Sequence, residues 1–200
     1  MKTGPTEADD LTRCKESPKP ISIYTPEEMA KLLKHADEDI IPFLAIGAFA
    51  GLRHAEILRL DWSEIDLAGG LIEVKAAKAK TASRRLVPIS ANLKKWLTPR
   101  HQGVGKVVLV EQVSGKLYDL TKKEEVGMTW KRNALRHSYI SYRVAQTQNV
   151  AQTALEAGNT PKIIFSNYRE LVKPADAVKW FGIVPEVPEN VIQAPMETVG

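Results

Sequence analysis

Residues 133–171 read NALRHSYISYRVAQTQNVAQTALEAGNTPKIIFSNYREL, and the rest of the chain is best understood outward from them. Leu135, Tyr139 and Tyr142 recur at spacings of four and three, which puts them on one face of a helix. Arg136 stands in that helix's first turn. A second helix is predicted from about Asn149 to Ala157, with Gly158 as its left-handed stop. Thr160 and Pro161 then supply an N-cap and a proline at the first helical position, restarting a short helix that carries Tyr168. An arginine and a tyrosine joined by so tightly specified a connection form a candidate catalytic frame.

Upstream, Thr25-Pro26-Glu27-Glu28 is a capping box that opens a helix running to Lys34 or His35. Ile40 to Phe49 is nearly all apolar, so the helix it predicts lies buried at the centre. Gly51 stops it, and Leu52 to Leu60 predicts another helix with Arg53 in the bend. An arginine beside a core is costly unless it meets an anion or a carboxylate, and Glu56 or Asp61 would satisfy a purely structural ion pair. Ile65–Leu67, Leu71–Lys75 and Arg85–Ile89 predict a small antiparallel sheet, with Ala76 to Ser83 as a hairpin tip holding Lys78 and Lys80.

Ser90 is expected to cap a helix to Leu97 that Pro99 closes. Val107 to Val110 reads as a short strand, residues 115–129 have room for one short helix, and Pro174 opens a last helix through Phe181. The four tryptophans, Trp62, Trp96, Trp130 and Trp180, read as packing residues rather than stacking platforms. The fold class is α+β, mostly helical. Residues 1–20 are polar and proline-bearing, an expected linker or arm. Residues 21–183 form one domain, and the proline-rich 184–200 is expected to be a disordered tail.

A hydrophobic content of 44% over 200 residues supports one real core. There is no run of about 18 apolar residues to span a membrane and no basic-then-apolar leader, so a cytoplasmic location is expected. Cys14 is the single cysteine, which excludes an internal disulfide. A net charge of +4 says little, but its distribution says more. Val74 to Val110 holds nine lysines and arginines and no acid, and Val126 to Leu155 holds Lys131, Arg132, Arg136 and Arg143 with none. Segregation of this kind fits either a polyanion-facing surface or a solvated basic face. No nucleotide-binding glycine loop appears, which disfavours a metabolic enzyme.

Five boxes, GLRHAEILRL, KTASRRLVPI, NALRHSYIS, LEAGNTP and NYREL, resemble in order those of the tyrosine recombinases, the phage integrase family. The resemblance covers about Ile21 to Phe181 and implies that family's catalytic fold, a helical core with a three-stranded sheet at about residues 65–89. It matches Arg53 and Arg136 to the family's two phosphate-binding arginines and Tyr168 to its nucleophile. Lys80 matches the hairpin lysine, because it stands eight residues before Pro88 of the VP motif. Two positions depart from the pattern: Asn133 and Asn159 stand where the family carries histidine, or histidine or tryptophan.

The implied reaction is strand transfer through a covalent 3′-phosphotyrosine, without metal, cofactor or ATP. Tyr168 attacks, two arginines stabilise charge on the phosphate, and Lys80 protonates the leaving 5′ oxygen. Asparagine can hydrogen-bond phosphate but cannot shuttle a proton, so Asn133 and Asn159 raise a second reading, a DNA-binding remnant that has lost proton transfer. A type IB topoisomerase is a third. Double-stranded DNA is the implied partner, with a monomer off DNA, a tetramer on it, and a separate core-binding domain absent from these residues. Arg84, Arg85, Lys131 and Arg132 are expected phosphate contacts, and Lys75 and Lys78 read as phosphate contacts or solvated strand-edge charges. His54 and His137, each next to a site arginine, read as structural, and His137 lies about 100° around the helix from Arg136.

Overall fold

Helix α1 (Pro26–His35) starts where the sequence says it should. The Thr25 side chain accepts from the Glu28 amide and the Glu28 carboxylate accepts from the Thr25 amide, closing the box in both directions. The computed structural model describes residues 21–75, 84–168 and 172–186. Helix α2 (Ile41–Phe49) is buried at all nine positions, as its lack of a polar face requires. It packs against α1, α3 (His54–Ile57), α4 (Ala91–Leu97) and α6 (Ala134–Thr147). Burying each of Phe43, Leu44, Ile46 and Phe49 stabilises by about 1.5–3 kcal/mol, so α2 is the centre of the core energetically as well as spatially.

Strands β1 (Ile65–Asp66), β2 (Leu71–Val74) and β3 (Arg85–Pro88) pair antiparallel in the order β1-β2-β3, with Ile72 opposite both Ile65 and Val87. Those three residues turn inward and are buried. Helix α5 (Val113–Lys122) fills the short-helix position. The long α6 packs against α2, α7 (Val150–Ala157), α8 (Pro161–Tyr168) and α9 (Pro174–Phe181). Trp180 of α9 locks the assembly: it stacks on Tyr142 at 4.3 Å between ring centres and donates its indole N–H to the Ala48 carbonyl of α2. Trp62 and Trp96 are buried and Trp130 half-buried against Tyr24, all in packing roles. Among the described residues no helix is long and apolar enough to cross a membrane.

Three local expectations need correction. Helix α3 is a single turn, because the chain bends at Leu58 toward the 3-10 turn of Trp62–Glu64, which Asp61 caps. Helix α4 does end at Leu97 as expected, and Pro99 sits in the 3-10 turn over Thr98–Arg100 that follows it. Ser90 gives no side-chain cap to α4, its hydroxyl bonding Asn92 instead. Val107 to Val110 forms no strand. The Val107 amide bonds the Leu60 carbonyl, and Val107 and Val108 are apolar because they plug the core beside that bend.

Gly51 couples the fold to the site. Its φ of +65° turns the chain between α2 and α3, and a Cβ there would overlap the Tyr139 ring of α6. Only glycine lets α6 come this close.

Candidate active site

Three guanidinium groups and one carboxylate form the centre of the site. Glu56, on α3, is buried to 2% exposure and takes Arg53 on Oε1 at 3.0 Å. It also takes Arg85, from β3, at 3.1 and 2.6 Å on its two oxygens, and caps the Arg53 amide at 2.8 Å. Burial alone would push the Glu56 carboxyl up. The bonds from Arg85, the Arg53 amide and the Arg53 side chain outweigh it and hold the group below the ordinary carboxylate value. The ion pair that a structural reading of Arg53 required therefore exists, with Glu56 as the partner.

Two backbone carbonyls complete the frame. Arg53 donates to the Gly158 carbonyl at 2.6 Å, and Arg136 donates to the Gly51 carbonyl at 2.6 Å. Gly158 ends α7 in the left-handed region (φ +60°) with the Arg85 guanidinium against its bare face. Both stop-signal glycines thus serve as arginine acceptors. Burial lowers the Arg136 pKa to about 10, with the charges of Arg53 and Arg85 adding to the effect while Glu56 and Tyr168 oppose it. Three cations share one carboxylate. An anion seated here would relieve that imbalance.

Arg53 and Arg136 both line a cleft of about 720 Å³, together with Asn133, His137, His54 and Arg132. Arg53 also faces a second cleft of about 790 Å³ that contains Arg84, Arg85, Asn159 and Thr160. The two asparagines therefore flank Arg53 in different hollows. Asn133 adopts the left-handed conformation (φ +59°) as the N-cap of α6, a geometry that asparagine tolerates better than most residues. Asn159 accepts from the Thr160 amide, while its own amide closes onto Ala154.

Tyr168 is the last residue of α8, 5% exposed, and its hydroxyl meets Nδ1 of His137 at 2.6 Å. Burial raises the phenol pKa, opposed by the Arg136 charge. Burial lowers that of His137, and Arg136 lowers it further. Among the described residues no group of three or more His, Cys, Asp or Glu side chains is placed to hold a metal ion.

Arg53 and Arg136 thus share one cleft with His137, the partner of the Tyr168 hydroxyl, in a chain whose residues 23–162 match the model of the phage integrase family. The chain belongs to that family. Its fold resembles the crystal structure of XerA recombinase, with a TM-score of 0.64 at 17% identity over 88% of this chain and 69% of that one. It also resembles the Tn1549 transposon integrase solved with a circular intermediate DNA (TM-score 0.57, 15% identity, 82% and 66% covered). A third likeness is to the integrase of mycobacterium phage Brujita (0.52, 14%, 87% and 66%). The chain spans about two thirds of the length of these structures. No curated protein matches it in sequence.

In this integrase-family chain the other predicted site residues divide. Lys78 and Lys80 lie outside the described residues. Lys131, expected on DNA, is tied down on α1: its ammonium bonds both Glu28 oxygens and the Ile23 carbonyl and covers the Tyr24 ring. Arg85, also expected on DNA, is 8% exposed and ties β3 to Glu56 and the Glu156 carbonyl. Lys75 is exposed but pairs with the buried Glu64, whereas Arg84 pairs with Glu73 at the surface, where such a pair is worth about 0–1 kcal/mol and yields readily to a phosphate. Arg132 is exposed on the rim of the first cleft.

The His137–Tyr168 contact is the feature that residue spacing did not reveal. Counting around α6 separates His137 from Arg136 by about 100°, but the tyrosine arrives from a different helix and meets the histidine side. The lowered His137 pKa also sets a sign for stability. Below the ordinary histidine value of 6.5 the unfolded chain takes up a proton that the folded chain resists, so stability falls as pH falls. Urea midpoints are expected to drop between about pH 7 and 5, before the lowered carboxyls of Glu56 and Glu156 titrate below 4.5. An unchanged midpoint across that window, or a rising one, contradicts this.

Proposed function

We propose that this chain breaks and rejoins DNA strands through a covalent 3′-phosphotyrosine at Tyr168, the chemistry of site-specific recombination and integration. The observation that carries the reading is the convergence of Arg53 and Arg136 on one cleft, with Tyr168 inside the reach of the Arg136 charge. The tyrosine oxygen attacks the scissile phosphorus, the P–O5′ bond breaks, and a free 5′ hydroxyl leaves. Arg53 and Arg136 donate to the non-bridging oxygens, where negative charge grows in the transition state. Lys80 protonates the leaving oxygen as general acid. The phosphotyrosine conserves the energy of the broken bond for rejoining, so the cycle needs no nucleotide. The arginines supply the charge stabilisation that a metal gives in other phosphoryl transfers.

Double-stranded DNA is the proposed partner, held through phosphates by exposed cations such as Arg132 and Arg84, with the chain monomeric off DNA and tetrameric on it. Asn133 and Asn159 favour the second reading, a DNA-binding remnant. A nicked duplex that traps the covalent step separates the two: an adduct stable to denaturant, mapping to Tyr168, is expected. Absence of any adduct across a library of duplex sequences, with DNA still bound, would leave the remnant. Arg136→Ala is expected to slow single-turnover adduct formation about 10²–10³-fold, the loss typical of one charge-stabilising donor. A loss below about 10-fold would remove Arg136 from the transition state.

A further inference from the structure

We infer that His137 is the proton acceptor for Tyr168. The inference rests on the strand-transfer reading and deepens it. Transfer through a phenol needs a base at the hydroxyl, because a buried tyrosine does not ionise unaided near neutral pH. The positions where the family carries histidine, and histidine or tryptophan, are Asn133 and Asn159 here, and neither asparagine can take up a proton. His137 Nδ1, at 2.6 Å from the Tyr168 oxygen, is within proton-transfer distance, and the two rings lie 5.7 Å apart at a tilt of 34°.

The histidine is well anchored. Its amide bonds the Asn133 carbonyl in the first turn of α6, and its own carbonyl accepts the Ser141 hydroxyl, which is 1% exposed. The groups around it are Arg136, Tyr168, and across the cleft Arg53, His54 and Arg132, so the described surroundings are cationic or neutral. That setting keeps the imidazole unprotonated and ready to accept. In the step, the Tyr168 O–H bond breaks, the proton moves to Nδ1, and the oxygen's electron pair forms the bond to phosphorus. The P–O5′ pair leaves on the 5′ oxygen, which Lys80 protonates. The imidazolium is tolerated beside Arg136 because the phosphate then in the cleft supplies the missing negative charge. Rejoining returns the proton to the departing phenolate.

Two experiments on the full chain test this. Without DNA, nitrogen NMR of the imidazoles is expected to find His137 with Nδ1 bare and Nε2 protonated, and Tyr168→Phe is expected to move the Nδ1 resonance. A proton on Nδ1 overturns the inference. With nicked DNA, His137→Asn keeps a hydrogen-bonding group near the hydroxyl but cannot take up its proton. Adduct formation is expected to slow about 10²–10⁴-fold and to lose the acid limb of its pH profile, with added imidazole partly rescuing His137→Ala. A rate and profile like those of the unsubstituted chain overturn it, once urea midpoints establish that both variants fold. If the unsubstituted chain makes no adduct while Nδ1 is bare and coupled to Tyr168, strand transfer fails and the accepting contact stands.

Discussion

Phenylalanine at position 168 is expected to abolish covalent attachment to nicked DNA entirely while leaving DNA binding in place. The substitution removes one oxygen. The ring remains in its apolar pocket with Tyr139, Ile140 and Ile164, so the packing around α8 is retained. What is lost structurally is a single hydrogen bond to His137, worth about 0.5–1.5 kcal/mol. Chemically the loss is total, since a phenyl ring has no nucleophile. Gel shifts and denaturing gels run on the same samples give both readouts. An adduct that persists in Tyr168→Phe would move the nucleophile elsewhere, and Tyr24, Tyr139 and Tyr142 are poor substitutes. Burial raises the pKa of each, and their hydroxyls are committed to Lys131, Glu156 and Tyr24. Loss of binding together with the adduct would instead mean that the hydroxyl shapes the DNA surface.

Replacing Glu56 by alanine is expected to lower unfolding stability by about 3–5 kcal/mol, because it leaves the buried Arg85 and the half-buried Arg53 without their anion. The side chain has three duties: it pairs two guanidinium groups, caps the Arg53 amide, and offsets the charge that depresses Arg136. Against a typical domain stability of about 5–15 kcal/mol this is a large fraction, so urea midpoints are the measurement to make. Glu56→Gln keeps an acceptor oxygen and is expected to cost less. Sulfate or phosphate is expected to restore part of the loss in Glu56→Ala by occupying the emptied anion position. A change below about 1 kcal/mol, or no response to sulfate, would show that water already satisfies the arginines.

The local signals in this sequence carry far. The box at Thr25, the proline starts at Pro161 and Pro174, the glycine stops at Gly51 and Gly158, and the unbroken apolar run of α2 each act within a few residues, and each is realised. The three short strands follow for the same reason, since alternation and turn residues specify a hairpin locally. The Arg53–Glu56 pair is three residues apart on one turn and equally legible.

Long-range pairings are not. Lys131 finds Glu28 across 103 residues and Arg85 finds Glu56 across 29, so two cations that look free for a polyanion are spoken for internally. Val107 and Val108 are apolar because of a bend distant in sequence. The order of the boxes, each readable from its own few residues, determined the family and the candidate residues Arg53, Arg136 and Tyr168. Which side of α6 the tyrosine would meet depends on how α7 and α8 pack back against it, and that choice belongs to the assembled core. It put the Tyr168 hydroxyl on His137, a residue that helix periodicity had pointed away from the site, because periodicity describes one helix and the proton acceptor is made by two.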